Sequence, residues 1–243
     1  MDKPRGVAVI TAAGSGSRLG MDMPKALVQS GGRSLLELAL ERMLASDRIS
    51  AVVVTCPAGQ VATFQRAVSH LPEVERVTFV AGGNSRQASV NAGLEELERR
   101  LGPSLSDSTP VLVHDAARAL APTVLVDELV DQINLGVPAA VPGLEAADTI
   151  KVIDPETGVV VETPPRANLR IIQTPQAFKW GVLRRAHLEQ KERGTSELGA
   201  ATDDSALVEE CGTPVLVISG NPLAFKVTVQ DDLARVAAEL GAE

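Results

Sequence analysis

Short apolar runs of β character recur along this chain at Val7 to Ile10, Ala51 to Thr55, Val77 to Val80, Val111 to Val113 and Val137 to Val141, with helix-like stretches between them. That alternation constrains the fold more than any other feature. Runs of this kind, apolar throughout instead of every second residue, belong to strands buried on both faces, and helical crossovers between them make neighbouring strands parallel. The expectation is an α/β fold: a mainly parallel, Rossmann-like sheet covered by helices on both faces. The first helix has a defined start, with Ser34 as N-cap and Glu37 three residues later forming a capping box. Leu35, Leu36, Leu38, Ala39, Leu40, Met43 and Leu44 form its buried side. Further helices are expected over 60–69, 86–100, 123–134, 179–193 and 230–240.

A length of 243 residues suits one such domain, spanning 1–243. One segment breaks the alternation. Residues 145–168 read as an inserted β-arm, a hairpin turning at Pro155-Glu156-Thr157-Gly158. A two-stranded hairpin is marginal alone in water, so this arm is expected to pack against a second copy of the chain as a homodimer. Refolding onto the chain's own sheet is the competing reading.

In a parallel sheet, ligands bind in the crevice at the carboxyl ends of the strands, which directs attention to the loops that follow them. After the first strand comes Thr11-Ala12-Ala13-Gly14-Ser15-Gly16-Ser17-Arg18-Leu19-Gly20, then Lys25. Small residues let backbone N–H groups approach an anion closely, and Arg18 and Lys25 add full charges, so the loop reads as a phosphate cradle. A dinucleotide fingerprint fails because Leu19 stands where its third glycine belongs, and the second strand runs into Cys56 and Pro57 instead of an acid. A Walker-type loop fails for want of Gly-Lys-Ser or Gly-Lys-Thr.

Composition removes several function classes. A formal charge of −8 and 2% aromatic residues argue against nucleic acid as a partner. No apolar run approaches the roughly 18 residues of a membrane span, and Met1 to Arg5 leads directly into a strand without a secretory signal, so the cytoplasm is the expected location. Cys56 and Cys211 lack metal-ligand or catalytic spacing and read as reduced and structural.

The motifs taken together are more specific. Ala12 to Gly20 with Arg18, Pro24-Lys25, Gly82-Gly83 with Arg86 and Ser89-Val90, His114-Asp115-Ala116-Ala117-Arg118, Thr174-Pro175-Gln176, Thr202-Asp203-Asp204 and Lys226-Val227-Thr228 follow one another over almost the full length. In this order they resemble the 2-C-methyl-D-erythritol 4-phosphate cytidylyltransferase family. The resemblance implies transfer of CMP from CTP to 2-C-methyl-D-erythritol 4-phosphate, a step of non-mevalonate isoprenoid synthesis. It gives Arg18, Lys25 and Lys226 the catalytic roles: Lys25 on the triphosphate and the pentacoordinate centre, Arg18 beside it on the departing phosphates, and Lys226 near the α-phosphate. It places Ala12, Ala13, Gly14, Gly83, Asn84, Ser89, Asp115 and Ala116 around the nucleotide, with Asp115 also orienting Mg²⁺. Thr149, Arg166, Thr174, Thr202 and Asp203 fall on the acceptor side, with the arm residues reaching the partner subunit's site.

Two departures from the family pattern are Asn84, where aspartate occurs in some relatives, and the order Ser205-Ala206. His114 and Arg118 are expected to hold their loop, Trp180 to pack at a helix start, and His70 and His187 to be surface or helix residues without a role. Lys226 falls in a β-like run, Ala224 to Val229.

The chemistry agrees with these residue types. A phosphate monoester with a second pKa of about 6 is mostly dianionic at neutral pH and needs no general base to attack. The task is alignment of two mutually repelling anions and stabilisation of the departing pyrophosphate. A ribitol 5-phosphate cytidylyltransferase would share this chemistry with another phosphorylated polyol. A nucleotide-binding dimer without catalysis would have lost the charged residues that stand here.

Overall fold

The computed structural model describes residues 5–14, 23–196 and 199–241. In chain order its strands and helices are β1 (Gly6–Thr11), β2 (Gln29–Ser30), β3 (Arg33–Ser34), α1 (Leu35–Leu44), β4 (Ile49–Cys56), α2 (Val61–Ala67), β5 (Val77–Ala81), α3 (Arg86–Leu101), β6 (Pro110–Asp115), α4 (Thr123–Asn134), β7 (Ala139–Glu145), β8 (Val152–Ile153), β9 (Val160–Glu162), β10 (Arg170–Ile172), β11 (Gln176–Lys179), α5 (Trp180–Glu189), α6 (Asp204–Glu210), β12 (Leu216–Ser219) and α7 (Gln230–Leu240). All five sequence-predicted strands are present. So is the predicted start of α1: Ser34 Oγ accepts from Glu37 N at 3.2 Å while Ser34 N donates to the Glu37 carboxylate at 3.1 Å. Its seven predicted core residues are all buried, and each leucine so removed from water contributes about 1.5–3 kcal/mol.

The main sheet runs β10-β7-β11-β6-β1-β4-β5. Strands β6, β1, β4 and β5 are mutually parallel. Beyond β6 the sheet becomes mixed: β11 is antiparallel to both β6 and β7. β10 continues along the same side of β7, which pairs on its other side with β12 in parallel. The sequence reading did not anticipate β10, β11 or β12, because runs of three or four residues are too short to show a period.

One face of the sheet packs α1, α2 and α4 around Ile10, Leu40, Phe64 and Leu129; the other packs α3, α5 and α6 around Val9, Leu94, Phe178 and Leu183. On the second face Gly93 brings α3 close, since a Cβ there would lie 2.5 Å from Val9 Cγ1. A third cluster joins α1 and α7 through Leu35, Leu38, Val227 and Val236.

Strands β8 and β9 form the predicted arm, shorter than expected. Its turn is organised by Asp154, whose carboxylate accepts from Glu156 N and Thr157 N, and by Gly158 at φ +70. Val159, Val160 and Val161 on the arm are more than half exposed. Cys56 is buried and Cys211 half-buried, both as free thiols. No described helix is long and apolar enough to cross a membrane.

Candidate active site

The parallel strands β1, β4, β5 and β6 bring their carboxyl ends to one edge. Backbone bonds carry the order past the strand ends: Ala12 N donates to Thr55 O, Gly82 N to Cys56 O and Ala116 N to Thr11 O. The described parts of the three loops predicted to converge therefore start from one edge. A Cβ on Gly82 would fall 2.9 Å from Ala13 Cβ and 2.7 Å from Ser89 Oγ, and one on Gly83 would fall 2.4 Å from Ala88 Cβ. Both positions need glycine for close approach. Arg18 lies within residues 15–22, outside the described residues, so Ala12, Ala13 and Gly14 are the described start of the loop read as a phosphate cradle.

Asp115, the last residue of β6, is the centre of the site. Its Oδ1 accepts from Arg86 Nε at 3.1 Å and Thr11 Oγ1 at 3.2 Å, and its Oδ2 accepts from Lys226 Nζ at 2.8 Å. Burial works against the charged carboxylate. The Arg86, Lys226 and Arg118 charges nevertheless hold it far below the usual carboxylate range. Arg86 is itself gripped from behind, donating from Nη1 to Asp204 at 2.7 Å. Burial would lower its pKa, but the Asp204 and Asp115 charges raise it. Next to Asp115, His114 is pushed down by burial to about 4, the Asp115 charge opposing only part of that shift.

Lys226 does not lie in a strand, contrary to the sequence reading. Residues 222–224 form a 3₁₀ turn and 225–228 are irregular, so no ladder neighbour restrains the lysine, whose side chain is 41% exposed. The segment is pinned instead by Val227 N donating to Ala117 O and by Asp232 of α7, which accepts from Thr228 N and Val229 N. Lys25 opens a 3₁₀ turn, Lys25–Leu27, behind Pro24. Burial opposes ionisation of Asp232, but those backbone bonds, with the Thr228 hydroxyl and the Lys25 charge, lower its pKa. Asp232 thus holds the Lys226 segment while it feels the charge of Lys25.

Several predicted contact residues turn out to be occupied by the protein. Thr174, placed by resemblance on the acceptor side, is buried, with its hydroxyl between Asp115 N and His114 Nδ1, 3.0 Å from each. Ser89 Oγ donates to Ser85 O and accepts from Gly83 N, shaping the glycine loop from below. Asp203 caps α6 through Ala206 N and accepts from Gln176 Nε2 at 2.8 Å. Gly83, Asn84 and Thr202 are exposed, and Ala116 is buried. Thr149 and Arg166 stand exposed at the base of the arm, where Arg166 donates to Ala147 O; among the described residues no hydrogen bond joins either to the Asp115 cluster. His114 and Arg118 are loop supports as expected, Arg118 donating to Ala224 O and Ile172 O.

Two buried members of the cluster were given no role from sequence: Asp204, and His187, which contacts it at 2.9 Å. In the sequence Arg86 stands out only as part of the Gly82-Gly83 motif. Arg86 and Asp204 are 118 positions apart, and no local pattern could have paired them.

Among the described residues no three His, Cys, Asp or Glu side chains gather into a metal cage. The donor set does fit Mg²⁺, which is commonly held by one or two carboxylates together with substrate phosphates and waters. Asp115 supplies one ionised carboxylate, and the group on its outer oxygen is the exposed, movable Lys226.

Comparison with known proteins agrees with this geometry. The family model described as 2-C-methyl-D-erythritol 4-phosphate cytidylyltransferase matches residues 7–242. A protein of that name from Rhodococcus opacus is 43% identical over 238 residues, covering 97% of this chain and 96% of its own length; one from Nocardia farcinica is 42% identical over 227 residues, covering 93% and 90%. The crystal structure of the Thermus thermophilus protein of the same name superposes with a TM-score of 0.72 at 33% identity, covering 97% of this chain and 98% of that one. The 4-diphosphocytidyl-2C-methyl-D-erythritol synthase of Anaerococcus prevotii gives 0.81 at 26% identity, covering 99% and 97%. Matched from the first strand to the last helix, the chain belongs to the 2-C-methyl-D-erythritol 4-phosphate cytidylyltransferase family.

Proposed function

We propose that the site at the carboxyl edge transfers CMP from CTP to 2-C-methyl-D-erythritol 4-phosphate, giving 4-diphosphocytidyl-2-C-methyl-D-erythritol and pyrophosphate. The observation that carries this reading is the Asp115 carboxylate held by Arg86 and Lys226 at the carboxyl edge beside a glycine-rich loop, in a chain matched to the family over residues 7–242.

The acceptor phosphate is its own nucleophile, so the chain must orient anions and absorb charge rather than remove a proton. His114 is suited to neither acid nor base work near neutral pH, being buried, pushed down to about 4 and bonded through Nδ1 to Thr174. Lys25 holds the triphosphate and stabilises the pentacoordinate centre, with Arg18 beside it on the departing phosphates. Lys226, whose Nζ rests on Asp115 Oδ2, reaches the α-phosphate. Asp115 would hold Mg²⁺, which when bound would supply charge neutralisation for the phosphate oxygens and the departing pyrophosphate. Backbone carbonyls of the Ala12 to Gly14 and Gly83 to Asn84 segments accept from the exocyclic amine of cytosine.

Thr149 and Arg166 complete the acceptor site from the arm of a second copy, where Arg suits phosphate because its planar fork donates two hydrogen bonds at once. The exposed Val159, Val160 and Val161 are covered in that homodimer. A biosynthetic role on small phosphorylated metabolites supports the expectation of a cytoplasmic location.

The test is pyrophosphate release from CTP and Mg²⁺ with methylerythritol phosphate or ribitol 5-phosphate in parallel reactions. Release with the first acceptor is expected. Preference for ribitol 5-phosphate overturns the choice of acceptor, and tight CTP binding without release from either overturns transfer.

A further inference from the structure

Behind the site runs a line of charge whose far members, Asp204 and His187, the transfer mechanism does not use. Asp204, in the first turn of α6, has a side chain only 1% exposed; its Oδ2 accepts from Arg86 Nη1 at 2.7 Å and its Oδ1 lies 2.9 Å from His187 Nε2 on α5. His187 is fully buried. An ionised carboxylate can only accept, so Nε2 of His187 carries the hydrogen in this contact. The line therefore reads His187, Asp204, Arg86, Asp115, with each member on a different element.

A buried ion pair supplies little net stability, because the cost of stripping water from both groups offsets their attraction. What this arrangement supplies is direction. The guanidinium is rigid and planar, so fixing Nη1 on Asp204 fixes where Nε points, and Nε points at Asp115 Oδ1. Without Asp204, Arg86 could swing onto Asp115 alone and take over Oδ2, the oxygen that accepts from Lys226. Asp204 also directly follows Thr202-Asp203, which joins this loop to the carboxylate at the end of β6.

We infer that Asp204, held by His187, is a positioning residue of this enzyme: it aims Arg86 so that Asp115 keeps the orientation that nucleotide and metal require. This deepens the transferase reading and rests on it.

The experiment compares Asp204→Asn, His187→Phe and His187→Gln with the unaltered protein, reading pyrophosphate release at varied CTP and acceptor and CTP affinity by calorimetry in the presence of Mg²⁺. Asparagine keeps the shape but removes the charge and one acceptor. Its expected effect is a kcat lower by about 10- to 100-fold with the acceptor KM within about threefold, and a weaker grip on CTP. His187→Phe loses the donor and shifts kcat the same way by a smaller factor, and His187→Gln, whose amide can still donate to Asp204, restores it.

A packing role alone would treat phenylalanine and glutamine by size and stability and would not separate kcat from the acceptor KM. If Asp204→Asn retains kcat and CTP affinity within about threefold of the unaltered protein, the inference is overturned. Should that variant not fold, equal activity of the Phe and Gln variants overturns it instead. Absence of turnover in the unaltered protein would defeat the transferase reading, and the CTP affinities of the variants would still decide the positioning role.

Discussion

Arg86 and Lys226 hold Asp115 from its two different oxygens, Nε on Oδ1 at 3.1 Å and Nζ on Oδ2 at 2.8 Å. The two cations are not equivalent. Arg86 is locked from behind by Asp204 and has a side chain 18% exposed, whereas the lysine is 41% exposed and restrained only at its tip. One is built to stay and the other to move, which separates the part of the site that keeps its shape from the part that follows the substrate.

That asymmetry predicts opposite outcomes for Lys226→Ala and Asp115→Asn. An exposed lysine contributes about 0–1 kcal/mol through its ion pair, so Lys226→Ala should leave the urea midpoint nearly unchanged while turnover falls steeply. Asp115→Asn strands Arg86 in a buried place with one carboxylate fewer and should cost about 3–5 kcal/mol of stability. Equal destabilisation by the two substitutions would contradict the division of labour drawn here.

Lys25→Ala and Arg18→Ala are expected to lower kcat by about 10²- to 10³-fold, the scale on which a charge-stabilising donor acts, with unchanged circular dichroism and thermal midpoint. Near-normal turnover in either variant would remove the triphosphate role assigned to it.

Stability should fall on acidification through two successive windows. His114 is depressed from 6.5 to about 4, so between those values the unfolded chain binds a proton that the folded chain refuses. Stability therefore drops as pH falls from about 6.5 to about 4, by about 3 kcal/mol in total. Asp115 and Asp204 are also depressed, burial opposing the neighbouring cations in both. Their contribution is present above the ordinary carboxylate range and is lost as pH falls below it. Urea midpoints measured against pH for the unaltered chain and His114→Asn should show the first limb flattened in the variant; an unchanged limb would mean that another group titrates there.

A charge in the middle of the arm tests the proposed dimer. Val161 is 68% exposed, so Val161→Asp costs an isolated chain almost nothing in folding, but in a dimer it would bury a carboxylate without a partner. Sedimentation should show dissociation to monomer, together with loss of turnover because Thr149 and Arg166 leave the partner's site. An unaltered sedimentation coefficient and rate would place the arm outside any functional interface.

Much of the fold was legible because its signals are local. The Ser34–Glu37 capping box, the seven apolar residues of α1 and the apolar strand runs each depend on neighbours within a few positions, where periodicity and capping chemistry operate. The strands β10, β11 and β12 and the helix α6 were not legible. β11 is four residues long and is defined by the strands it lies between, so its conformation is imposed by tertiary pairing rather than by its own pattern. The Lys226 segment erred in the opposite direction, since apolar residues on both sides of the lysine read as a strand, whereas they pack into the cluster under α1 and α7.

By itself the sequence determined the α/β class, the loops that gather at the carboxyl edge, the arm, and through its motifs the family. Those properties follow from short-range spacing and from residue types whose chemistry is fixed wherever they lie. Only the tertiary structure decided which charges meet: that Asp115 is shared by Arg86 and Lys226, that Asp204 and His187 stand behind Arg86, and that Thr174 serves Asp115 and His114 within the protein. Electrostatic and hydrogen-bond partners are selected by distance in space, and over separations of a hundred residues the chain carries no local record of that distance.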